Sequence, residues 1–285
     1  METRMTSPRG KMAAIGEDLP LVLIGERINP FGKGPMKADM VSGAMEVIRE
    51  EALEQVAAGA DMLIVSVAAF GIDEVRVLPE VTGAVLEAVD VPLCLESRSP
   101  EALEKALKLG CGRPIISSVT GEEQVLEALL PLVKTYGTAL VALASDGSGI
   151  PREPRARLAI VRRILDRVER FGIPRESILV DCVAESSAVN DKAAISTLET
   201  MGLVRRELGL NLVLGTSNVS FGLPGRSIVN GVFLSLAAQA GLTCAIVNAA
   251  RMKPYAMAVD LLMGRDPGAR RFTAYFRKLK SLSVK

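Results

Sequence analysis

The chain has no histidine and no tryptophan among its 285 residues, and only three tyrosines and seven phenylalanines. Without imidazole, every mechanism that uses histidine as base, acid or metal ligand is excluded. The shortage of aromatic rings removes the platforms on which single-stranded bases stack. Formal charge is +1 with acids and bases interspersed, so there is no basic stripe to follow a phosphate backbone, and neither a nucleic acid nor a membrane is an expected partner. Four cysteines, Cys94, Cys111, Cys182 and Cys244, stand far apart with no CxxC pair. That leaves no zinc signature or disulfide framework, and no bound metal is expected. Apolar runs are strand-length, short of the roughly 18 residues a spanning helix requires. Residues 1–20 carry no apolar block before their end and read as a flexible leader rather than a secretory signal, in a cytoplasmic protein.

What is present is a large apolar fraction, 49%, beside 24% charged residues, the balance of a chain that buries a substantial core. Residues 21–285 are read as one domain, since an α/β barrel takes about 250 residues. Aliphatic runs recur at 21–26, 62–67, 92–97, 114–119, 139–145, 177–182, 211–217 and 244–249. Between them lie helical-period segments such as 99–110, with Ser99 and Pro100 as start signals and Gly110 as stop, and 122–137, 156–172 and 227–241, each ending in glycine. Eight strands alternating with helices predict a (β/α)8 TIM barrel. A doubly wound sheet would open on a GxGxxG loop, which does not follow the first strand. The segment RRFTAYFRKLKS (270–281) predicts a terminal amphipathic helix packed on the barrel or on a second subunit.

In such barrels chemistry sits at the carboxyl ends of the strands. Those ends read Glu26, Ser66, Glu96, Ser117, Ser145 with Asp146, Asp181, Ser217 with Asn218, and Asn248. Carboxylates such as Glu96 and Asp181 at one mouth can hold a divalent ion, serve as acid and base, or accept hydrogen bonds from a cyclic amidine-type ligand. No DxD or histidine set supports the ion. A heterocycle with adjacent N–H donors suits Asp181, because a carboxylate accepts two parallel bonds.

GERIN (25–29), PLCLES (92–97), LVDC (179–182) and above all LGTSNVSFGLPGR (214–226) resemble the pterin-binding barrels of methyltetrahydrofolate:corrinoid protein methyltransferases and the folate domain of cobalamin-dependent methionine synthase. Dihydropteroate synthases are more distant members of that superfamily. The resemblance covers about residues 20–265. It implies transfer of the N5 methyl group between 5-methyltetrahydrofolate and the cobalt of a cobalamin carried by a separate corrinoid protein, and a homodimer. It also implies that Asp181 binds the amino and N3 edge of the pterin, with Glu96 and Ser117 standing where the family has an aspartate and an asparagine. Asn218 would hydrogen-bond near N5, and Arg226 would lie near the folate. Gly215 and Ser217 belong to the same loop, and Glu26, Asn29 and Ser66 complete the expected site. Asn218 and Ser117 are the expected catalytic groups.

The chain departs from the family in reading Ile64, Val65, Ser66 where Asp-x-Asn is usual, and Cys182 where a proline follows the aspartate. Two other readings stay open: a dihydropteroate synthase-like enzyme, which would want lysine where Asn218 stands, and a folate-binding or corrinoid-protein-docking module without catalysis.

Overall fold

The computed structural model describes residues 1–31 and 34–282. A hairpin of two antiparallel strands, β1 (Glu2–Thr6) and β2 (Met12–Gly16), precedes eight parallel strands. These are β3 (Val22–Ile28), β4 (Met62–Ser66), β5 (Leu93–Glu96), β6 (Ile115–Val119), β7 (Ala139–Leu143), β8 (Ile178–Asp181), β9 (Asn211–Gly215) and β10 (Cys244–Val247). Each pairs with the next and β10 pairs with β3, closing the barrel. Every predicted strand is present within a residue or two.

The helices form the outer layer: α1 (Gly34–Ser42), α2 (Glu46–Ala57), α3 (Glu74–Ala88), α4 (Pro100–Leu107), α5 (Glu123–Tyr136), α6 (Pro154–Arg170), α7 (Ala193–Leu208), α8 (Arg226–Gln239), α9 (Ala249–Leu262) and α10 (Arg270–Leu282). Their ends follow the sequence signals. The Ser99 hydroxyl accepts from Ala102 N–H at 3.2 Å to cap α4, and Gly137 takes φ 61° to close α5. The terminal segment is helical as expected. Asp266 accepts the N–H groups of Arg271 and Phe272 at its start, and Arg271 reaches the buried Asp260 on α9 at 2.9 Å.

Strand period two divides the core. Outward residues such as Leu23, Leu63, Leu95, Ile116 and Val180 meet the helices. Inward residues Val22, Ile24, Met62, Ile64, Cys94, Ile115, Ala139, Val141, Leu179, Val213 and Cys244 fill the barrel. All four cysteines are buried thiols.

Residues 1–20, expected as a flexible leader, are instead built into the fold. Met5, Ala13 and Ile15 of the hairpin pack against the inward-facing cluster and close the end of the barrel opposite the mouth. Polar pairing holds them there: Asn211 Nδ2 donates to Ile15 O at 3.0 Å and to Thr3 Oγ1 at 3.1 Å, and Thr3 donates to Glu176 O at 2.7 Å. The short strands carry too few apolar residues to announce a core by themselves, and their burial comes from plugging the barrel. Because Ile15 is wholly buried, Ile15→Ala is expected to remove about 2–5 kcal/mol of stability in urea unfolding; a loss below about 0.5 kcal/mol would return the hairpin to the status of a loose leader.

Candidate active site

The same alternation that fills the barrel assigns the residues above the filling. Two positions beyond Ile24, Ile64, Cys94, Ile115, Leu179 and Val213 come Glu26, Ser66, Glu96, Ser117, Asp181 and Gly215. Strand register brings several to one level: Ser66 is opposite Glu96, and Glu96 opposite Ser117. They surround a cavity of about 280 Å³ whose walls include Glu26, Asn29, Ser66, Glu96, Ser117, Asp181, Gly215, Ser217 and Asn218, with Ile64, Leu143 and Ile246 as its apolar part. A larger groove of about 1020 Å³ adjoins it through Ser66, Glu96, Ser117, Ser118, Leu143 and Val183, and runs toward Glu122, Asp146 and Ile150.

The Asp181 carboxyl closes β8. Its Oδ1 accepts the Val183 N–H at 2.7 Å, and among the described residues its Oδ2 accepts no hydrogen bond. Burial is the main cause that pushes its pKa up to about 7; the Val183 hydrogen bond and the Arg157 charge act in the opposite sense, and the Glu96 carboxylate adds to the rise. Glu96 opens to solvent at the mouth. The surrounding walls nevertheless raise its pKa, chiefly by desolvation, opposed by a hydrogen bond from Ser66 and the charge of Arg98 and reinforced by Glu74. Two acids sharing one small cavity keep their protons to a higher pH than isolated ones.

After β9 the chain enters a 3-10 turn, Thr216–Ser220. Ser217 donates to Glu26 Oε2 at 2.8 Å, linking the tips of β9 and β3. Asn218 is exposed in the mouth. Gly215 leaves room for it, since a Cβ there would stand 3.2 Å from Asn218 Nδ2. Asn29 lines the cavity while its Oδ1 accepts Phe31 N–H at 2.7 Å, in a turn directly after β3. Parity sends the neighbour of Glu26 elsewhere: Arg27 pairs with Glu51 at 2.6 Å.

Arg226, expected near the folate, braces the turn beside the cavity. It is absent from the cavity wall, and its guanidinium donates to Ser217 O and Ser220 Oγ, each at 3.0 Å. It begins α8 and there braces the 3-10 turn, whose Ser217 carbonyl also accepts from the Ser220 hydroxyl at 3.2 Å. Asn248 likewise caps α9, accepting from Arg251 N–H at 3.2 Å. Ser118, Val183 and Ala184 line the cavity without having been singled out in the sequence. Asp181 followed by an irregular VAE segment was the available signal, because the residues leaving a barrel strand necessarily form its rim. Among the described residues no group of three or more acids and cysteines is arranged for a metal ion, and no helix is long and apolar enough to cross a membrane.

The profile described as "Pterin binding enzyme" matches residues 27–248. The chain is 29% identical over 267 residues to the methylcorrinoid:tetrahydrofolate methyltransferase of Eubacterium limosum, covering 91% of this chain and 97% of that protein. It is 29% identical over 247 residues to methionine synthase of Mycobacterium leprae, covering 82% of this chain but only 20% of the larger protein. Solved dihydropteroate synthases share the fold: that of Xanthomonas albilineans with 4-aminobenzoic acid superposes with TM-score 0.68 at 19% identity, over 92% of this chain and 98% of the other. That of Thermus thermophilus does so with TM-score 0.67 at 22% identity, over 91% and 99%.

Because the folded state raises Asp181, the native carboxyl stays protonated where an unfolded chain has already ionised, so stability from this group is lost as pH rises through about 7. Asp181→Asn is therefore expected to gain melting temperature on the parent more at about pH 8.5 than at about pH 5. Parallel melting curves across that range would show that the carboxyl is not held in a desolvated site.

Proposed function

The chain belongs to the pterin-binding enzyme family, and from that premise we propose that it is a methyltransferase moving the N5 methyl group between 5-methyltetrahydrofolate and the cobalt of a corrinoid protein. The observation that carries the reading is the desolvated Asp181 carboxyl, half engaged by Val183 N–H, in a cavity also lined by the Asn218 amide. The relative that carries methylcorrinoid and tetrahydrofolate in its name, matched over almost its whole length, supports it.

The residues fit a pterin ring. Its amino and N3 groups are adjacent donors, and Asp181 offers adjacent acceptor oxygens. Glu96, kept protonated to higher pH than an ordinary glutamate, can donate to a ring acceptor, and Ser117 can do either. Asn218 would face N5. A methyl group on a tertiary amine is a poor electrophile, because the departing nitrogen accumulates negative charge unless a proton or a strong hydrogen bond meets it. The cobalamin of the partner supplies the nucleophile or the methyl source; the barrel's part is to orient the ring, keep one wall apolar through Ile64, Leu143 and Ile246, and present a donor at N5. The apolar Ile64 at the place of a usual acid favours one alternative, a folate-binding or docking module that has lost turnover. The dihydropteroate synthase-like reading has only the shared fold in its support, and the amide at Asn218 is the wrong group for it.

Mixing the protein with 5-methyltetrahydrofolate and Co(I) cobalamin while following the visible spectrum divides these readings. Methylcobalamin is expected to form. Asn218→Ala is expected to slow formation about 10²-fold with binding nearly unchanged, whereas Asp181→Asn weakens binding. Folate binding without methylation favours the docking module, and no folate binding removes both.

The protein is also proposed to be a homodimer. On α8, Ile228, Val232 and Leu236 recur at helical spacing with 69%, 55% and 50% exposure, an apolar stripe that a second copy would cover. Light scattering is expected to give twice the 30.3 kDa chain mass, falling to the monomer in Val232→Glu; a parent that is already monomeric refutes the dimer.

A further inference from the structure

The Asp181 carboxyl is aimed by the backbone N–H of Val183, and that N–H belongs to a peptide under unusual control. Val183 has φ 60°, a left-handed conformation that a β-branched residue keeps only where its surroundings hold it. The holder is on another element. Arg157 of α6 is 0% exposed and lies outside the walls of both the cavity and the adjoining groove. Its Nη1 donates to Cys182 O at 2.8 Å and Val183 O at 2.9 Å, its Nε to Pro151 O at 2.7 Å, and its Nη2 to Glu185 Oε2 at 2.7 Å. Thr197 of α7 adds a hydroxyl that lies 3.0 Å from both Val183 O and Ala193 O and shares its one proton between them.

The geometry has a direct consequence. A trans peptide is planar, so the Cys182 carbonyl and the Val183 N–H point in opposite directions. By drawing the carbonyl toward α6, Arg157 turns the N–H toward the mouth, where Asp181 Oδ1 receives it. Gripping the next carbonyl as well fixes both peptide units flanking Val183. Only the planar fork of arginine has enough donors, suitably spread, for four acceptors at once.

We propose that Arg157 is a positioning residue for ligand binding, which locks the Cys182–Val183 peptide so that the Asp181 carboxyl presents one fixed oxygen to an N–H-bearing heterocycle. The inference rests on the pterin reading of the cavity. A second effect follows from charge. Asp181 shares the cavity with Glu96 and Glu26, has the Cys182 thiol beside it on the same loop, and feels the Arg157 charge, itself paired with Glu185, from behind. Loss of that cation favours the protonated carboxyl and moves the pH at which binding sets in upward.

The experiment is a titration of 5-methyltetrahydrofolate into the parent, Arg157→Lys, Arg157→Gln and Arg157→Gln/Val183→Gly across pH, with circular dichroism as the folding control. Arg157→Gln is expected to bind at least tenfold more weakly, with the pH midpoint raised. Arg157→Lys keeps the charge and loses the fork, so its midpoint stays near the parent's while affinity falls. Glycine adopts φ 60° without strain, so the double variant recovers affinity but keeps the raised midpoint. Thr197→Val, which removes the hydroxyl beside Val183 O, Ala193 O and Arg157 Nη1 and leaves the arginine's fork on both carbonyls, is the safer substitution if Arg157→Gln does not fold, and a several-fold loss of affinity at an unchanged midpoint is expected. A folded Arg157→Gln with the parent's affinity and midpoint overturns the inference, as does a Thr197→Val indistinguishable from the parent where Arg157→Gln does not fold. A parent that binds no folate removes the pterin reading, and this inference with it.

Discussion

A closed parallel barrel admits only alternate residues of each strand to its interior, and here that interior is filled by aliphatic side chains and buried thiols up to Ile24, Ile64, Cys94, Ile115, Leu179 and Val213. The next inward position on each of those strands therefore lies at the boundary between packed core and water. A polar group placed there has a dry floor beneath it and an open mouth above. Glu26, Ser66, Glu96, Ser117 and Asp181 all occupy such positions. The hairpin plug serves the same end from below: with Met5, Ala13 and Ile15 closing the far end, the barrel opens at one face only.

That boundary determines the chemistry. Asp181 is desolvated by the barrel and near a second acid, so its charge is poised around neutrality instead of being settled. On the proposed reading, a ligand that brings its own N–H donors would replace the lost hydration and draw the proton off, making complementarity to donors the source of affinity. Opposite, the 3-10 turn after β9 is held by Arg226 on its carbonyl side and by the Ser217 to Glu26 bond on its mouth side. The Asn218 amide thus sits on a braced turn and not on a free loop. The Asp181 carboxyl on β8 and the Asn218 amide after β9 come from adjacent strands, which ties their separation to the barrel's own geometry.

Much of this is written in the sequence. Eight aliphatic runs, their polar ends and the intervening helix caps are local signals, and local signals survive folding. What sequence reading did not yield depends on tertiary placement. The short hairpin has a core role only because a barrel end waits for it. Arg226 reads in the sequence as a ligand contact, and only the fold shows its guanidinium on Ser217 O and Ser220 Oγ of the preceding turn. Arg157 sits among six other arginines between residues 152 and 170 and looks like a surface charge. Its spacing from Val161, Ile164 and Val168 nevertheless puts it on the buried face of α6, and an arginine at a core-facing position is a sign that acceptors lie on the other side.

The most direct measurement is a crystal structure of the protein with 5-methyltetrahydrofolate bound. The expected complex has the ring's amino and N3 edge on the Asp181 carboxyl, N5 beside the Asn218 amide, and the methyl group turned outward to the mouth. A ring lodged instead in the groove between Glu122 and Asp146, or one seated in the cavity with its amino edge away from Asp181, would contradict it.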